Sequence, residues 1–267
     1  MRRIVACLAA SVASGSLLAQ PASPPTPTAA TTDDTGEIIV TAQRRAEPLQ
    51  TTPVAVTALG QAQLETQQIL RTDDLAKSVP NLTILPLTAS PSSFQISLRG
   101  GTEQAGAIVT SEPAVAVYVD DVYRGRISGS NLELNDIERV EVLRGPQGTL
   151  YGRNAYSGAI KVITRKPGPD SWFDASIGGG RFNAVRAQVA VGGPISDGIG
   201  ASIAALYREQ DGYIRNIAVQ RWTGREAAFA GRATLNFFGE GPFKATASLA
   251  YTRDRKQFGK AVADFQN

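Results

Sequence analysis

The sequence predicts an α+β domain with a small mixed sheet and short helices, followed by a series of antiparallel β strands. Three observations support this order. Residues 136–167 contain a strand, a glycine-rich loop and a second strand. Residues 47–135 mix short strand-like and helix-like patterns. After Pro167, small or apolar residues alternate with polar ones at a period of two, which is typical of strands with two different faces.

The stretch at residues 136–167 has a distinct local pattern. The apolar residues Ile137, Val140, Val142 and Leu143, three of them β-branched, predict a short buried strand over 138–143, and residues 159–164 predict a second one. The loop between them places three glycines and a proline within eight residues: Gly145, Pro146, Gly148 and Gly152. Such density ends regular structure and permits positive φ angles. No Gly-Lys-Ser/Thr follows the glycines, which excludes a P-loop for phosphate. An ordinary glycine-rich turn in a soluble domain is the alternative.

This pattern resembles the end of the plug domain of TonB-dependent outer-membrane receptors. The matching features are the Glu-Arg-Val-Glu-Val strand at 138–142, Leu-Arg-Gly-Pro at 143–146, the glycines up to Gly152, and Gly-Ala-Ile leading to Ile-Thr within 158–164. Two places depart from the family pattern. Gly, Ala or Thr is usual where Tyr156 and Ser157 stand, and Asn is common where Lys161 stands. The resemblance implies that residues 47–167 form a plug domain.

The first residues predict export from the cytoplasm. Residues 1–19 begin with Arg2 and Arg3, continue as a short apolar run and end in small residues, as a secretory signal peptide does. The run is too short to span a bilayer stably, and we expect cleavage after Ala19. Cys7 lies too near the start for a lipoprotein signal.

Residues 20–46 predict a disordered tether. Their first part is rich in Pro, Thr and Ala and cannot bury enough apolar surface to offset the entropy lost on ordering. A short β-prone run at residues 37–42 then resembles the TonB box, and the resemblance implies that it binds TonB through Glu37, Ile38, Ile39, Val40, Thr41 and Ala42. The alternative is a first strand of the plug. The tether is too short for the extra signalling domain of receptors that also regulate transcription.

Within residues 47–167, helical and strand patterns alternate. The predicted elements include two helices and two strands: 59–70 and 75–79, then 94–98 and 115–119. Asp120 and Asp121 follow the last of these strands. No third ligand is placed by spacing, so we expect a turn or strand end there rather than a metal site.

Residues 168–267 predict about five strands of an antiparallel transmembrane β-barrel that remains incomplete in this chain. Their alternating segments lie at 174–177, 185–191, 201–208, 229–237 and 243–251, with turns expected at 178–180, 192–200, 211–224 and 239–242. A soluble antiparallel sheet gives the same alternation; the signal peptide and the plug-like sequence favour the barrel. Family barrels have about 22 strands. Because about five strands would leave backbone groups unpaired in hydrocarbon, we expect an N-terminal fragment or a truncated reading frame.

Composition argues against several other functions. The formal net charge is only +3, which argues against a nucleic-acid-binding protein. The absence of histidine removes the usual general base and the commonest metal ligand, and no Gly-x-Ser-x-Gly elbow appears. A secreted enzyme is therefore a remote alternative, and we expect no cofactor and no metal site. With one cysteine, no disulfide can form within the chain.

The resemblance implies active uptake of a scarce ligand, commonly an iron–siderophore complex, across the Gram-negative outer membrane. TonB, together with ExbB and ExbD, would supply the energy, and cobalamin or carbohydrate ligands are other possibilities. By the same resemblance, Arg99 and Arg144 would face glutamates of the barrel wall and hold the plug in place. The alternative is that both are solvated arginines at strand ends. A non-transporting fragment is the second functional hypothesis.

Overall fold

The computed structural model describes residues 38–87, 90–102, 112–125, 136–217, 220–239 and 244–256. The predicted signal peptide at 1–19, the predicted tether up to residue 36 and Glu37 lie outside the described residues. So does the single cysteine, Cys7. Within the described ranges, no helix has the length and apolar character to cross a membrane.

The α+β domain is built from short elements, because glycines, prolines and polar turns interrupt it repeatedly. In chain order they are β1 (Ile39–Val40), β2 (Glu47–Pro48), β3 (Val56–Gly60), α1 (Gln61–Thr66), β4 (Leu82–Leu87), β5 (Ser90–Leu98), β6 (Gly101–Thr102), β7 (Val115–Val119), β8 (Val122–Arg124), β9 (Ile137–Arg144), α2 (Gly148–Tyr151) and β10 (Gly158–Thr164). Two 3-10 helices, Leu49–Thr51 and Thr72–Lys77, complete the described elements. The first predicted helix is thus shorter than expected, and the second is a 3-10 helix.

A mixed five-stranded sheet forms the centre of this domain, in the order β3–β9–β10–β7–β8. Strands β9 and β10 are antiparallel, and β10 runs parallel to β7. One face of the sheet carries Val140, Val142 and Ile160, which pack with Leu75 and Leu98 in the larger hydrophobic core. The other face belongs to a smaller cluster. Burial on both faces explains why these strands are nearly continuous apolar runs.

The long strands follow in a second sheet. They are β11 (Trp172–Gly180), β12 (Ala184–Ser196), β13 (Ile199–Gln210), β16 (Glu226–Phe237) and β17 (Ala245–Lys256), and a short hairpin of β14 (Ile214–Asn216) and β15 (Arg221–Thr223) lies between β13 and β16. Each long strand pairs antiparallel with the next, in the order β11–β12–β13–β16–β17. The predicted antiparallel strands are confirmed.

The first turn of this sheet lies elsewhere than predicted. Gly178–Gly180 was expected to form a turn, but these glycines continue β11 and pair with β12, Gly180 opposite Ala184. The chain reverses over residues 181–183 instead, where Phe182 and Asn183 have φ angles of 61° and 51°. Asparagine tolerates this left-handed conformation well, and extended glycines still form ladder hydrogen bonds.

The two faces of the long-strand sheet differ in the way the alternation predicts. On β13, Ala204 and Leu206 are buried, whereas Ile203 and Tyr207 are 63% and 44% exposed. Ala204 lies opposite Arg232 of β16, whose guanidinium reaches the α+β domain. The buried face is therefore turned to that domain, and the exposed face is rich in large apolar side chains, as the lipid-facing side of a barrel strand would be.

Candidate functional site

Residues 38–46, predicted as the end of a mobile tether, lie against the α+β domain. Strand β1 pairs antiparallel with β2, Val40 opposite Glu47. Val40 and Ala42 are 0% and 1% exposed. The structure thus agrees with the alternative of a first strand and differs from the expected tether over these residues. The cause is burial by distant parts of the chain, which the local composition does not reveal.

Two buried charged side chains bind this segment through hydrogen bonds. Glu141 on β9 and Lys161 on β10 are 0% and 1% exposed. The backbone N–H of Thr41 donates to Glu141 Oε1 at 2.9 Å, and its hydroxyl lies 3.2 Å from the same oxygen. The Lys161 ammonium donates to the Thr41 carbonyl at 3.1 Å and to its hydroxyl at 2.6 Å. Thr41 therefore bridges a buried carboxylate and a buried ammonium.

Each buried charge also has a second partner. Arg139 Nε lies 2.8 Å from Glu141 Oε1, and Asp121 Oδ1 lies 3.1 Å from Lys161 Nζ. Buried charges require such partners, because an isolated charge in an apolar interior is costly. The sequence contained a signal for this cluster, since Glu141 and Lys161 each interrupt a run of β-branched residues, but it did not identify Thr41 as their common partner.

Aromatic side chains close the site around the docked segment. The Tyr151 hydroxyl donates to the Ala42 carbonyl at 2.7 Å, and the Tyr118 hydroxyl donates to the Tyr151 carbonyl at 2.5 Å. The two rings meet edge to face, with centroids 5.3 Å apart. Burial, and then the nearby Glu141 carboxylate, raise the pKa of Tyr151 well above its usual value. Tyr151 therefore remains a hydrogen-bond donor across the physiological pH range.

The glycine-rich loop positions Tyr151. The N–H of Gly145 donates to the Ser157 carbonyl at 3.0 Å, which closes the base of the loop. Gly148 begins α2, and Gly152 ends it, with a φ angle of 72°. Pro146, between Gly145 and Gly148, is exposed. The predicted loop residues thus place the Tyr151 side chain against the segment at 38–42.

Arg99 and Arg144, predicted to hold the plug, lie close to this loop. Arg144 ends β9, and its Nε is buried without a hydrogen-bond partner among the described residues. Arg99 is an exposed residue with a φ angle of 51°, and its guanidinium approaches Gly145. Neither guanidinium forms an ion pair with a carboxylate in the described part of the chain. Their contact with barrel glutamates stays a prediction.

Other ion pairs join the domain to the long-strand sheet. Arg71 Nη1 lies 3.3 Å from Glu226 Oε2 on β16, and Arg208 on β13 reaches the same oxygen at 3.0 Å. Farther along β16, Arg232 Nη1 lies 2.8 Å from Asp120 Oδ2. Sequence reasoning missed these contacts, because the local sequence around an arginine or a carboxylate does not show which distant residue it pairs with.

Asp120 and Asp121 form the turn that the sequence predicted. Their φ angles are 48° and 64°, and they connect β7 to β8 as a two-residue hairpin loop. Positive φ at both positions is the geometry of a type I′ turn, which Asp tolerates. Asp120 also accepts hydrogen bonds from the backbone N–H and the hydroxyl of Thr164, both at 2.8 Å. Among the described residues, no cluster of three or more potential metal ligands occurs.

Asp136, the residue before β9, should make the stability of the domain depend on pH. Burial raises its pKa to about 6, against opposing effects of Arg165 and Arg232. The folded state therefore holds this proton longer than the unfolded chain, so the free energy of unfolding falls as pH rises from about 4 to about 6 and stays lowered above that window. We expect Asp136→Asn to stabilise the domain at pH 7.5 and to have little effect at pH 4. Thermal unfolding at both pH values measures this; an equal effect at both would contradict it.

Comparison with known proteins identifies the class that this fold defines. Residues 48–159 match the family model of the TonB-dependent Receptor Plug Domain. The chain is 32% identical over 182 residues to the pesticin receptor of Yersinia pestis, covering 67% of this chain and 26% of that receptor. It is 33% identical over 142 residues to an iron-regulated outer membrane virulence protein of Vibrio cholerae, covering 51% of this chain and 20% of that protein.

Solved structures agree. The ferric yersiniabactin uptake receptor FyuA from Yersinia pestis superposes with a TM-score of 0.68 at 29% identity, covering 74% of this chain and 31% of that one. The pyoverdine outer membrane receptor FpvA from Pseudomonas aeruginosa has the same TM-score at 17% identity, covering 84% of this chain and 31% of that one, and shows likeness of fold alone.

The chain belongs to the TonB-dependent receptors of the Gram-negative outer membrane, as the glycine-rich motif predicted. The α+β domain is its plug, and the long strands are strands of its barrel wall. The chain spans about a quarter of the length of the curated relatives that it matches.

Proposed function

We propose that this receptor takes up an iron–siderophore complex across the outer membrane, with energy from TonB, ExbB and ExbD. The observation that carries the proposal is the segment at residues 38–42, which precedes the plug and contacts it through β1–β2 pairing and through hydrogen bonds of Thr41 to Glu141 and Lys161. Relatives named as the ferric yersiniabactin uptake receptor and the iron-regulated outer membrane virulence protein support an iron ligand. A relative named as the vitamin B12 transporter BtuB makes cobalamin the alternative.

The segment at 37–42 is the proposed binding site for TonB. A β-prone peptide can add a strand to the edge of another protein's sheet, and its backbone hydrogen bonds then supply most of the affinity. In the docked state Ile39 and Val40 already pair with β2. The segment therefore has to leave the plug before the same backbone groups can pair with TonB.

Proline at Val40 tests this function. Because proline removes the backbone donor and fixes φ, we expect Val40→Pro to abolish crosslinking of TonB to the receptor and uptake of radiolabelled ferric siderophore. Ile39→Ala is the matched control. Ile39 is 41% exposed, and alanine keeps the backbone donor, so most uptake should remain. Both variants are made in the receptor expressed in the outer membrane.

The proposal is wrong if Val40→Pro retains wild-type crosslinking and uptake. Uptake of labelled cobalamin instead of ferric siderophore would correct the ligand but keep the transport mechanism. Both substitutions lie in residues 37–42 and leave the outer loops unchanged. Unaltered binding of ligand to intact cells therefore shows that the variant receptor is present and folded.

A further inference from the structure

Glu141 and Lys161 face each other in adjacent strands. They are direct partners in the antiparallel register of β9 and β10. Side chains in such positions are near enough to pair directly, and opposite charges there attract. In the structure, however, the Thr41 hydroxyl lies between them, 2.6 Å from the ammonium and 3.2 Å from the carboxylate. A residue of the docked segment thus occupies the place of a direct ion pair.

We propose that Thr41, Glu141 and Lys161 form a two-state latch that controls how readily the segment at 37–42 becomes available. In the docked state, Thr41 bridges the two charges. In the released state, Lys161 and Glu141 pair directly across the strands. This proposal rests on the proposed function, since it describes the regulation of the TonB-binding segment, but the latch itself can be measured without TonB.

Both states satisfy the buried charges. When Thr41 leaves, Glu141 keeps Arg139 at 2.8 Å and Lys161 keeps Asp121 at 3.1 Å, so neither charge is left without a partner. Release therefore breaks hydrogen bonds to charged groups but leaves no unpaired charge in the apolar interior. Because no charge loses its last partner, the segment can dissociate from the plug and bind again.

The latch depends on the length and charge of Lys161. The long lysine side chain carries its ammonium to both the carbonyl and the hydroxyl of Thr41. An asparagine side chain at this position would be shorter and uncharged, so Lys161→Asn should weaken docking.

A buried cysteine reports the docked state. Val40 is 0% exposed, and cysteine is smaller than valine, so Val40→Cys fits the site and reacts with a maleimide only when the segment is released. Cys7→Ser removes the other thiol of these 267 residues. In the full receptor, Thr41→Val keeps the β-branched shape but removes the hydroxyl. We expect its labelling rate to rise about tenfold, as loss of hydrogen bonds to charged groups implies.

Two controls separate the latch from general loosening. Thr41→Ser retains the hydroxyl and should label within about twofold of the parent. Thr52→Val removes a hydroxyl from the same region that bonds only locally, to the Pro48 carbonyl at 2.9 Å, and should also leave the rate unchanged. The latch is refuted if Thr41→Val labels at the parent rate, or if Thr52→Val accelerates labelling as much as Thr41→Val does.

A change outside the segment links the latch to TonB. Lys161→Met removes two hydrogen bonds to Thr41 in the docked state against one ion pair in the released state, and it leaves Glu141 paired with Arg139. We expect the released fraction, and the affinity of the purified soluble domain of TonB, to rise by the same factor, because apparent affinity scales with the population that can bind. Faster labelling without any TonB binding would leave the latch standing and contradict the proposed function. An unchanged labelling rate in Thr41→Val, with TonB binding intact, would contradict the latch alone.

Discussion

Replacing Gly158 with alanine should prevent the plug from reaching its native packing. Gly158 has a φ angle of +151°, and a Cβ there would lie 2.2 Å from the Leu143 carbonyl oxygen and 2.5 Å from Leu98 Cδ2. Overpacking costs about 1–3 kcal/mol, and a backbone conformation that favours glycine adds about 1–3 kcal/mol. The sum is a large part of the roughly 5–15 kcal/mol that stabilises a domain. Protease cleavage of the plug in isolated outer membranes measures the loss.

Gly152→Ala, in the loop that precedes β10, is the matched control. Gly152 also has a positive φ, +72°, but a Cβ there meets nothing within 4 Å. Only the backbone cost remains, about 1–3 kcal/mol, without the overpacking term, so this variant should keep a more protease-resistant plug than Gly158→Ala. Equal resistance of the two variants would show that the close approach at Gly158 is relieved by a shift of β9.

The elements that the sequence predicted well are those with strong local signals. The two strands that flank the glycine-rich loop form because Val140, Val142 and Ile160 need burial, and the glycines between them end β9 and confine the loop to one short helix. The long strands appear because a period of two persists over many residues. Turn positions were less certain, since extended glycines such as Gly178–Gly180 can either end a strand or continue it.

The site could be predicted only in part, because its contacts join distant residues. Thr41 meets Glu141 and Lys161 at separations of 100 and 120 residues. A β-prone run after a polar tether gives no information on whether such partners exist, so local reasoning favoured mobility. The plug–wall pairs are similar in kind: Arg71 and Glu226 are 155 residues apart. Charged residues inside apolar strands were the usable signal. They indicate that buried partners exist but do not identify those partners.

Removing the Glu226 carboxylate should detach the plug from the wall more than any exposed pair does. Arg71 and Arg208 share this carboxylate, and the three side chains are 19%, 13% and 11% exposed. Loss of one partner from a buried pair costs about 3–5 kcal/mol, whereas an exposed pair is worth about 0–1. Arg71 keeps Asp73 at 2.7 Å in Glu226→Ala, so we expect a cost below that range, roughly 2–4 kcal/mol, for the loss of the carboxylate that the two guanidinium groups share.

The plug of the Glu226→Ala receptor should become sensitive to protease at a clearly lower urea concentration, while the barrel remains resistant. Asp174→Ala is the matched control, since it also removes a carboxylate from a wall strand. Its partner Arg165 lies 2.7 Å away, but the two side chains are 53% and 31% exposed, so the expected cost is about 0–1 kcal/mol. If both variants lose the plug at the same urea concentration as the parent, Glu226 does not anchor it.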